Sequence, residues 1–587
     1  ATPSLTDYEI RIDIAGQVLL HSDFNLAGSL LVDAADITIY NQNLIVSGPD
    51  QRLAFRAANS LTLGRTETLP NGKLQQLGAV ISAPDLQFNV DGLLTVNAGS
   101  AIFGAKQSAT LLITADDMLL IGTLYGGAEP DESAKPIWLP AGALTLDLTG
   151  SLTMGGQGVN SEGNLTNTGG NLIATGAVMI KTGDVVAISD TSSIKADPSG
   201  EQSIETAASG NLRLEVGTDL QLNGFLQSLG PASLLAISAG SQARINGLIE
   251  AQSSVTITAG TDVSGVGILV MPLILNTNSN GQLIDENGRL IDSDGWLINS
   301  SGQFVNEAGE VINVPPGSPV AGGQPVRLSG GEIRTGIGGT ISLTAADSLL
   351  LRGAIGAIRA EGSTIRALSD SVSLTSTGSS VTVEDRVEAS TLLTVTAEAI
   401  NVLAGASLRA RGTGGDIRLK AAHLLYIDAA FGDLPAAVVQ AQDLVSLLAA
   451  DVDTSGVVRS TVGRIAINGV QSVTVGGRVI SPTTIHVNSG VSATWSQALL
   501  ESGTISAAEL ANGTLDILGS GSLQATGNVR LNSGGDFTVQ SAAGLASGTA
   551  VRPRPIVSTA PQTIYTVTGY NKIDLGVIQV PEVTFVK

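Results

Sequence analysis

A short unit recurs along the chain: an alternating strand, a pair of small residues, and a second short strand. Copies include LAFRAANSLTLG from Leu53, LLTVNAGSAIFG from Leu93, LLITADDMLLIG from Leu111, VTITAGTDVSGVG from Val255, ISLTAADSLLLRG from Ile341, LLTVTAEAINVLAG from Leu392 and IRLKAAHLLYID from Ile417. Consecutive copies begin about 18 to 27 residues apart, the length of one solenoid coil. Alternation within each strand gives one buried and one exposed face. The repeat therefore predicts an all-β fold, a single-stranded parallel β-helix or β-solenoid.

The small pairs mark where the chain bends between two faces of a coil. Adjacent coils stack about 4.8 Å apart and leave no room there for bulky side chains. The pairs are Ala57–Ala58, Ala98–Gly99, Ala239–Gly240, Ala259–Gly260, Ala345–Ala346 and Ala421–Ala422. An antiparallel sandwich with ordinary turns is the alternative, but it does not explain why the pair recurs inside each unit.

The composition fits thin, repeated layers. At 587 residues the chain exceeds the usual size of one domain, yet aromatic residues make up 3% and charged residues 14%. A hydrophobic content of 43% argues against disorder.

The longest apolar run, residues 266–275, is shorter than the roughly 20 residues of a membrane-spanning helix. No signal peptide is visible in the N-terminal residues.

The charge balance restricts the class of partner. Lys and Arg total 30 against 52 Asp and Glu, a formal net charge of −22. Nucleic acid and anionic membrane surfaces both select clustered positive charge, so we expect neither as a partner. Cysteine is absent, which excludes disulfides and thiolate metal sites.

A second repeat, seven residues long, interrupts the coils between Gly281 and Val314. It reads GQLIDEN, GRLIDSD, GWLINSS, GQFVNEA and GEVINVP. Glycine in every unit excludes a stable coiled coil. The Asx residues before each glycine instead predict a meander of very short strands joined by tight turns. We expect this insert to form a side module on the β-helix.

The turns of the insert have the oxygen-rich chemistry that calcium favours. The candidate ligands are Asp285, Asn287, Asp292 and Asp294, in DENG and DSDG. The EF-hand spacing is absent, and the same residues also suit plain Asx turns. Calcium is the one cofactor that the sequence suggests, and both interpretations stay open.

The ends of the chain differ from its middle. In YEIRIDIAG, the side chains of Tyr8, Ile10, Ile12 and Ile14 are expected to point inward in an N-terminal cap. After the Pro-rich RPRPIVSTAPQ, strands TIYTVTG, KIDLGVIQV and EVTFVK either cap the stack or add to the edge of a neighbouring molecule. The predicted segments are residues 1–45 (cap and first strands), 46–275 (first β-helix part), 276–325 (insert), 326–550 (second β-helix part) and 551–587 (connector and C-terminal strands).

Some parallel β-helices cleave polysaccharides, which needs two carboxylates across the sugar or a base beside a cation. Asp116–Asp117 is the one adjacent Asp pair, and a solvated bend explains it better. Glu384–Asp385–Arg386 reads as a surface turn. The three histidines, His21, His423 and His486, are scattered, and no catalytic fingerprint is present. We therefore predict no enzymatic activity and no catalytic residues.

The phrases VTITAGTDVSG and ISLTAADSLLLRGA resemble repeats of filamentous-haemagglutinin-type adhesins and other very large repetitive bacterial surface proteins. The resemblance covers roughly residues 53–540 and implies a right-handed β-helix displayed outside the cell. Such adhesins carry an Asn-Pro-Asn-type motif in their secretion domain. This chain has Asn41–Gln42–Asn43, with Gln in place of Pro.

Three functions follow as hypotheses. The first is an extracellular adhesin or stalk on the bacterial surface, binding host or cell-surface glycans or proteins. The second is a secreted subunit that assembles with itself into a filament or sheath through its C-terminal strands. The third is a polysaccharide-active enzyme or a phage-type spike.

Overall fold

The structure is a computed structural model of the 587-residue chain. It describes residues 10–46, 51–104, 110–126, 142–196, 210–230, 232–260, 266–271, 276–277, 283–284, 290, 299–300, 303, 331–355, 357–359, 365–367, 369–432, 434–490, 513–525, 529–533, 536–539, 565–568, 573–575 and 583–586. These residues form strands and turns and contain no helix, hence none that is long and apolar enough to cross a membrane.

Long parallel sheets in a ring-like arrangement make up the fold, consistent with a β-solenoid. This confirms the all-β, parallel part of the prediction. The chain divides into two compact units, Ala1–Asp262 with Gly330–Gly339, and Val263–Ser329 with Thr340–Lys587. Each unit has a first, a second and a third parallel sheet, named in the order in which the chain passes through them.

Unit 1 begins with long strands that pass through both the first and the second sheet: β1 Ile10–Leu20, β3 Leu30–Ile39, β5 Arg52–Leu63, β9 Asp85–Val96 and β11 Thr110–Leu120. Its first sheet continues with β13 Ala143–Leu148, β18 Val178–Thr182, β21 Leu212–Val216, β24 Leu234–Ala239 and β27 Ser254–Ala259. Its second sheet continues with β14 Leu152–Met154, β19 Val186–Ile188, β22 Leu220–Leu222 and β25 Ala243–Ile245. Its third sheet holds β2 Phe24–Leu26, β4 Gln42–Val46, β8 Ala79–Ala83, β10 Ala101–Gly104, β12 Thr123–Gly126, β17 Asn171–Ala174, β20 Ser193–Ala196, β23 Phe225–Ser228, β26 Leu248–Ala251 and β31 Glu332–Thr335. Two antiparallel hairpins complete it, β6 Arg65–Thr68 with β7 Leu74–Leu77, and β15 Gly156–Val159 with β16 Leu165–Thr168.

Unit 2 repeats the scheme. Long strands through the first two sheets are β40 Leu392–Val402, β42 Asp416–Ile427, β44 Val445–Thr454 and β46 Ile465–Val475. The first sheet also holds β32 Thr340–Ala345, β37 Ser371–Ser376, β48 Ile485–Ser489, β51 Val529–Ser533, β53 Tyr565–Thr568 and β55 Val583–Val586. The second also holds β28 Val266–Val270, β33 Ser348–Leu351, β38 Ser380–Val383, β49 Thr514–Ile517, β52 Phe537–Val539 and β54 Ile573–Leu575. The third holds β34 Ala354–Ile355, β39 Arg386–Ala389, β41 Ser407–Ala410, β43 Val438–Ala441, β45 Val457–Ser460, β47 Arg478–Ser481 and β50 Ser522–Ala525. Its hairpins are β29 Asn276–Thr277 with β30 Leu283–Ile284, and β35 Ala357–Arg359 with β36 Ile365–Ala367.

Strands in adjacent coils lie in parallel register. Asn468 and Asn488, 20 residues apart, are partners in one pair of coils, and Asp184 and Thr218, 34 residues apart, face each other at the bends of another. The longer spacings come from segments inserted between strands, because the paired strands of adjacent coils keep their register. This is why the sequence repeat has no fixed period.

Inward side chains fill the interior in continuous columns. Phe55 and Phe88 occupy register positions in adjacent coils, are 0% and 1% exposed, and stack with ring centroids 5.2 Å apart. Leu61 and Leu94 form the matching column of the second sheet and are fully buried. Each buried Leu or Phe contributes about 1.5–3 kcal/mol, so the stack is held mainly by these columns.

The small pairs do lie at bends, but at two different ones. Ala57–Ala58 and Ala421–Ala422 interrupt β5 and β42 where the first sheet gives way to the second. Ala98–Gly99 instead lies between β9 and β10, where the second sheet gives way to the third, and Gly99 has a φ of 72°. The prediction of one common bend was therefore wrong, because the repeat unit was read from two different starting points in the coil.

Glycine stacks on glycine at the first bend of unit 1. A Cβ at Gly217 would collide with the carbonyl oxygen of Gly183, one at Gly240 with that of Gly217, and one at Gly260 with that of Gly240. The coils pass so closely here that a methyl group has no space.

The N-terminal strand is less buried than its alternation predicts. In β1, Ile10 is 41% and Ile14 46% exposed, because they lie in the first described coil and are covered on one side only. Tyr8 lies outside the described residues. At the other end, β53 pairs in parallel with β51, and β55 with β53, so the C-terminal strands extend the first sheet of their own chain.

Candidate functional site

Two hairpins project from the coils of unit 1 at the same place, between the second and third sheets. The β6–β7 hairpin follows β5, and the β15–β16 hairpin follows β14. The other coils of unit 1 make this connection with two to four residues, for example Asn223–Gly224 or Asn246–Gly247. A coil can therefore connect its second and third sheets without a hairpin. The hairpins are additions to the fold and are candidates for a functional role.

Both hairpins end in the same five-residue loop. In the first, the Leu69 amide donates to the Lys73 carbonyl at 2.8 Å and the Gly72 amide to the Leu69 carbonyl at 2.9 Å. In the second, the Asn160 amide donates to the Asn164 carbonyl at 2.9 Å and the Gly163 amide to the Asn160 carbonyl at 3.0 Å. The fourth residue, Gly72 or Gly163, has a φ of 80° or 85°, a conformation that glycine adopts without strain.

The second loop reaches the first hairpin. The Leu74 amide donates to the Gly163 carbonyl at 3.3 Å. A Cβ at Gly163 would lie 3.0 Å from the Cβ of Lys73, so this contact needs glycine. Gly158 allows β15 to run against the coil, since a Cβ there would lie 3.0 Å from the Cβ of Ala98. The glycines of GGQGVNSEG therefore bring the two hairpins together.

A groove of about 360 Å³ lies between the hairpins. Its lining residues are Leu69, Lys73, Leu74, Gln75, Gln76, Val159, Asn160, Ser161, Glu162 and Gly163. Half-buried Leu69, Leu74 and Val159 provide apolar surface, while the amide, hydroxyl, ammonium and carboxylate groups provide donors and acceptors. A polar ligand with apolar faces, such as a sugar or a peptide, matches this lining.

The lining of the groove offers polar and apolar groups for binding, but it does not contain the pair of acids that glycoside hydrolysis uses. Glu162 is the one acidic side chain in its lining, and it accepts a hydrogen bond from the Asn164 amide group at 3.3 Å. Glu67, on the same hairpin as Leu74, is paired with Arg65 at 3.3 Å. Two carboxylates facing each other across a sugar are not found among the lining residues.

Asp116–Asp117 lies at the first bend of β11, and both side chains are exposed. Asp116 accepts a hydrogen bond from the Thr149 hydroxyl at 2.5 Å, and Asp117 accepts one from the Ser151 amide at 2.7 Å. Thr149 and Ser151 belong to the next coil, so the pair ties one bend to the next.

The structure does not bring the other candidate residues together. Glu384 is paired with Arg352 at 3.0 Å and precedes β39, which begins at Arg386. His21 lies beside the Tyr40 ring, with centroids 6.3 Å apart, whereas His423 is exposed at the first bend of β42. His486 lies in β48.

The four candidate calcium ligands, Asp285, Asn287, Asp292 and Asp294, lie outside the described residues, so the calcium site stays a prediction. Within the described ranges no three His, Cys, Asp or Glu side chains come close enough together to hold a metal ion.

Sequence reasoning missed the hairpin groove, although a signal for it was present. The loop sequences LPNGK and NSEGN have the same glycine position as the units of the seven-residue repeat, such as NSSGQ from Asn299. In that unit the Asn299 amide donates to the Gln303 carbonyl at 2.9 Å, as the Asn160 amide does to Asn164. The Gln303 amide also donates to Asn299 Oδ1 at 3.0 Å, as the Asn164 amide does to Asn160 Oδ1. Asn299 and Gln303 of the insert thus make the same two hydrogen bonds as Asn160 and Asn164 of the second hairpin.

Comparison of the chain with protein-family models, with curated proteins and with solved structures gave no match.

Proposed function

We propose that this chain is an extracellular adhesin or surface stalk, a single-stranded right-handed β-solenoid that holds binding elements on a rigid stack of coils. The observation that carries the proposal is the hairpin groove. Two hairpins from different coils meet at the Leu74–Gly163 hydrogen bond and line a groove of ligand size. Right-handed winding is the general preference for crossovers between parallel strands.

The position of the two hairpins, on loops outside the stack of coils, supports binding rather than catalysis. Binding residues typically lie on loops that a rigid scaffold positions. Here the scaffold is the parallel stack, and the hairpins are additions that neighbouring coils lack. A bacterial cell surface is the location that the resemblance to repetitive adhesins implies.

Hairpin removal tests this proposal. Residues 64–78 would be replaced by Asn-Gly, the natural connection at Asn246–Gly247, so that the coil still closes. Wild type and variant, both as the full chain, would be applied to an array of neutral and acidic oligosaccharides and to immobilised host-cell extracellular matrix proteins. We expect wild type to bind a subset of these and the variant to lose that binding while keeping its β-sheet circular dichroism.

Gly163→Ala is a finer probe, because it leaves both hairpins in place and disturbs their contact. Its matched control is Gly338→Ala, which also replaces a glycine of positive φ, 83°, but at a site with open space around it. Loss of binding in both variants, or in neither, would contradict a binding role for the groove.

A further inference from the structure

The third sheet of unit 2 presents a row of arginines. We call Arg386, Arg409, Arg411, Arg459 and Arg478 the arginine face. Four of them lie on β39, β41, β45 and β47, and Arg411 directly follows β41. The register places Arg386 and Arg478 in one column and Arg409 and Arg459 in the next. Such a concentration of positive charge is unusual for a chain with a net charge of −22.

Few carboxylates offset this charge. Glu388 is the single acid at the outward positions of these four strands and of β43, which lies between β41 and β45, and its Oε1 lies 3.1 Å from Arg411. Arg459 is flanked in register by Gln440 and Ile480, which are uncharged. The Nε atoms of Arg386 and Arg409 are buried and have no hydrogen-bond partner. Burial lowers the pKa of Arg409, and the charges of Arg411 and Arg386 lower it further against the opposing effect of Glu388.

The third sheet of unit 1 shows that this imbalance does not come with the fold. There Arg334 lies 3.0 Å from Glu250 and 3.4 Å from Glu332, so the charges pair within the sheet. The arginine face lacks such a set of acids, so apart from the Arg411–Glu388 pair its positive charge is available to a partner.

Unit 1 carries a complementary surface. We call Asp36, Asp91, Asp116, Asp117, Asp184 and Asp219, all at the bend between the first and second sheets, the acidic edge. Hydroxyl groups of the following coil hold three of these carboxylates, with Ser60 donating to Asp36 at 2.6 Å, Thr149 to Asp116 at 2.5 Å and Thr218 to Asp184 at 2.8 Å. No Lys or Arg lies at this bend in the described coils.

We propose that the arginine face of one copy of this chain docks on the acidic edge of a second copy. Both surfaces are built on the same coil step of about 4.8 Å, so their charges repeat with a common spacing. Arg409 and Arg459 are two coils apart, as are Asp117 and Asp184, about 9.6 Å in each case. Guanidinium groups suit this contact, because their planar fork can bind a carboxylate through two hydrogen bonds.

The two surfaces differ, so the contact is heterologous and leaves an unused surface on each partner. Copies can then be added one after another unless the arrangement closes into a ring. This inference concerns assembly, and it stands apart from the hairpin groove.

Sedimentation velocity of the full chain tests it. At about 0.1 M salt the Debye length is about 10 Å, so the repulsion between whole copies is screened while ion pairs in direct contact still attract. At about 1 M salt the Debye length falls to about 3 Å, and the attraction between contacting charges is weakened as well. We expect oligomers at the lower concentration and dissociation at the higher one. The face variant, Arg459→Gln with Arg478→Gln, and the edge variant, Asp117→Asn with Asp184→Asn, should each weaken association at least tenfold.

Two comparisons make the test specific. The control Arg213→Gln with Arg244→Gln removes the same charge from unit 1 outside both surfaces and should associate like wild type. A 1:1 mixture of face and edge variants should form dimers and stop there, since only one competent surface remains on each. Monomeric wild type at 0.1 M salt, a control as weak as the face variant, or a mixture without dimers would overturn the proposal. Wild type that binds poly-L-glutamate through the arginine face without self-association would also overturn it, and would make an acidic polymer the occupant.

Discussion

Replacing Gly217 with Ala should destabilise the coils around it. The added Cβ would meet the carbonyl group of Gly183, which is backbone and has little freedom to move. The Thr218 amide donates to the Asp184 carbonyl at 3.2 Å and the Gly240 amide to the Val216 carbonyl at 3.0 Å, so these bends are tied to each other on both sides. Overpacking costs about 1–3 kcal/mol and a strained hydrogen bond about 1 kcal/mol more, giving roughly 2–4 kcal/mol.

Amide hydrogen exchange measures the loss of stability in individual coils, which is needed because a stack of coils can open in one part while the rest stays folded. Peptides covering residues 212–222 and 234–245 should exchange on the order of 30-fold faster or more in Gly217→Ala. Gly16→Ala is the control, because a Cβ at Gly16 meets nothing within 4 Å and its φ is not positive. If the two variants exchange alike, the close stacking of glycines at the bend is refuted.

Three further outcomes are expected. In a double-mutant cycle of Phe55→Leu and Phe88→Leu, urea unfolding should give a coupling of about 0.5–1.5 kcal/mol, since the stacked rings lie 5.2 Å apart, and a coupling of zero would contradict that register. The hydrogen bond from Tyr426 to Asp428, with burial second, raises the pKa of Tyr426 to about 12, so its phenol should stay protonated at pH 11, and Asp428→Asn should lower that pKa in a spectrophotometric titration. Because Asn160 Oδ1 and Asn299 Oδ1 each accept a hydrogen bond from the backbone amide four residues later, we expect the Asx side chains of the repeat to serve turns, and calcium titration of the full chain to release no binding heat. Heat that disappears in Asp292→Asn with Asp294→Asn would instead establish the calcium site.

The strand columns could be predicted because their signal is local. Alternation in LAFRAANSLTLG places Leu53, Phe55 and Leu61 inward, and each is fully buried. The bends were predicted less well, because a small pair such as Ala98–Gly99 looks the same in sequence at either bend of a coil. Which bend it occupies depends on the register between coils, and that is a contact between residues distant in the chain.

The candidate site could not be predicted, for a related reason. The hairpin tips at Lys73 and Gly163 are about 90 residues apart in sequence, and only the coil count between them brings them together. The arginine face has the same origin, since Arg386 and Arg478 share a column only through the stacking of five strands. In both cases the composition of each segment alone is unremarkable.

Every site described above depends on the coil register, and engineered cysteines test that register directly. The chain has no cysteine, and Thr38, Thr62 and Thr95 form one half-exposed column in three successive coils of the second sheet. Adjacent coils bring paired Cα atoms within the roughly 4.4–6.8 Å of a disulfide, whereas two coil steps, about 9.6 Å, exceed it. Upon mild oxidation, Thr38→Cys/Thr62→Cys and Thr62→Cys/Thr95→Cys should form intramolecular disulfides detectable by mass spectrometry, and Thr38→Cys/Thr95→Cys should not. Cross-linking of that third pair, or its absence in the first two, would contradict the parallel stack of coils.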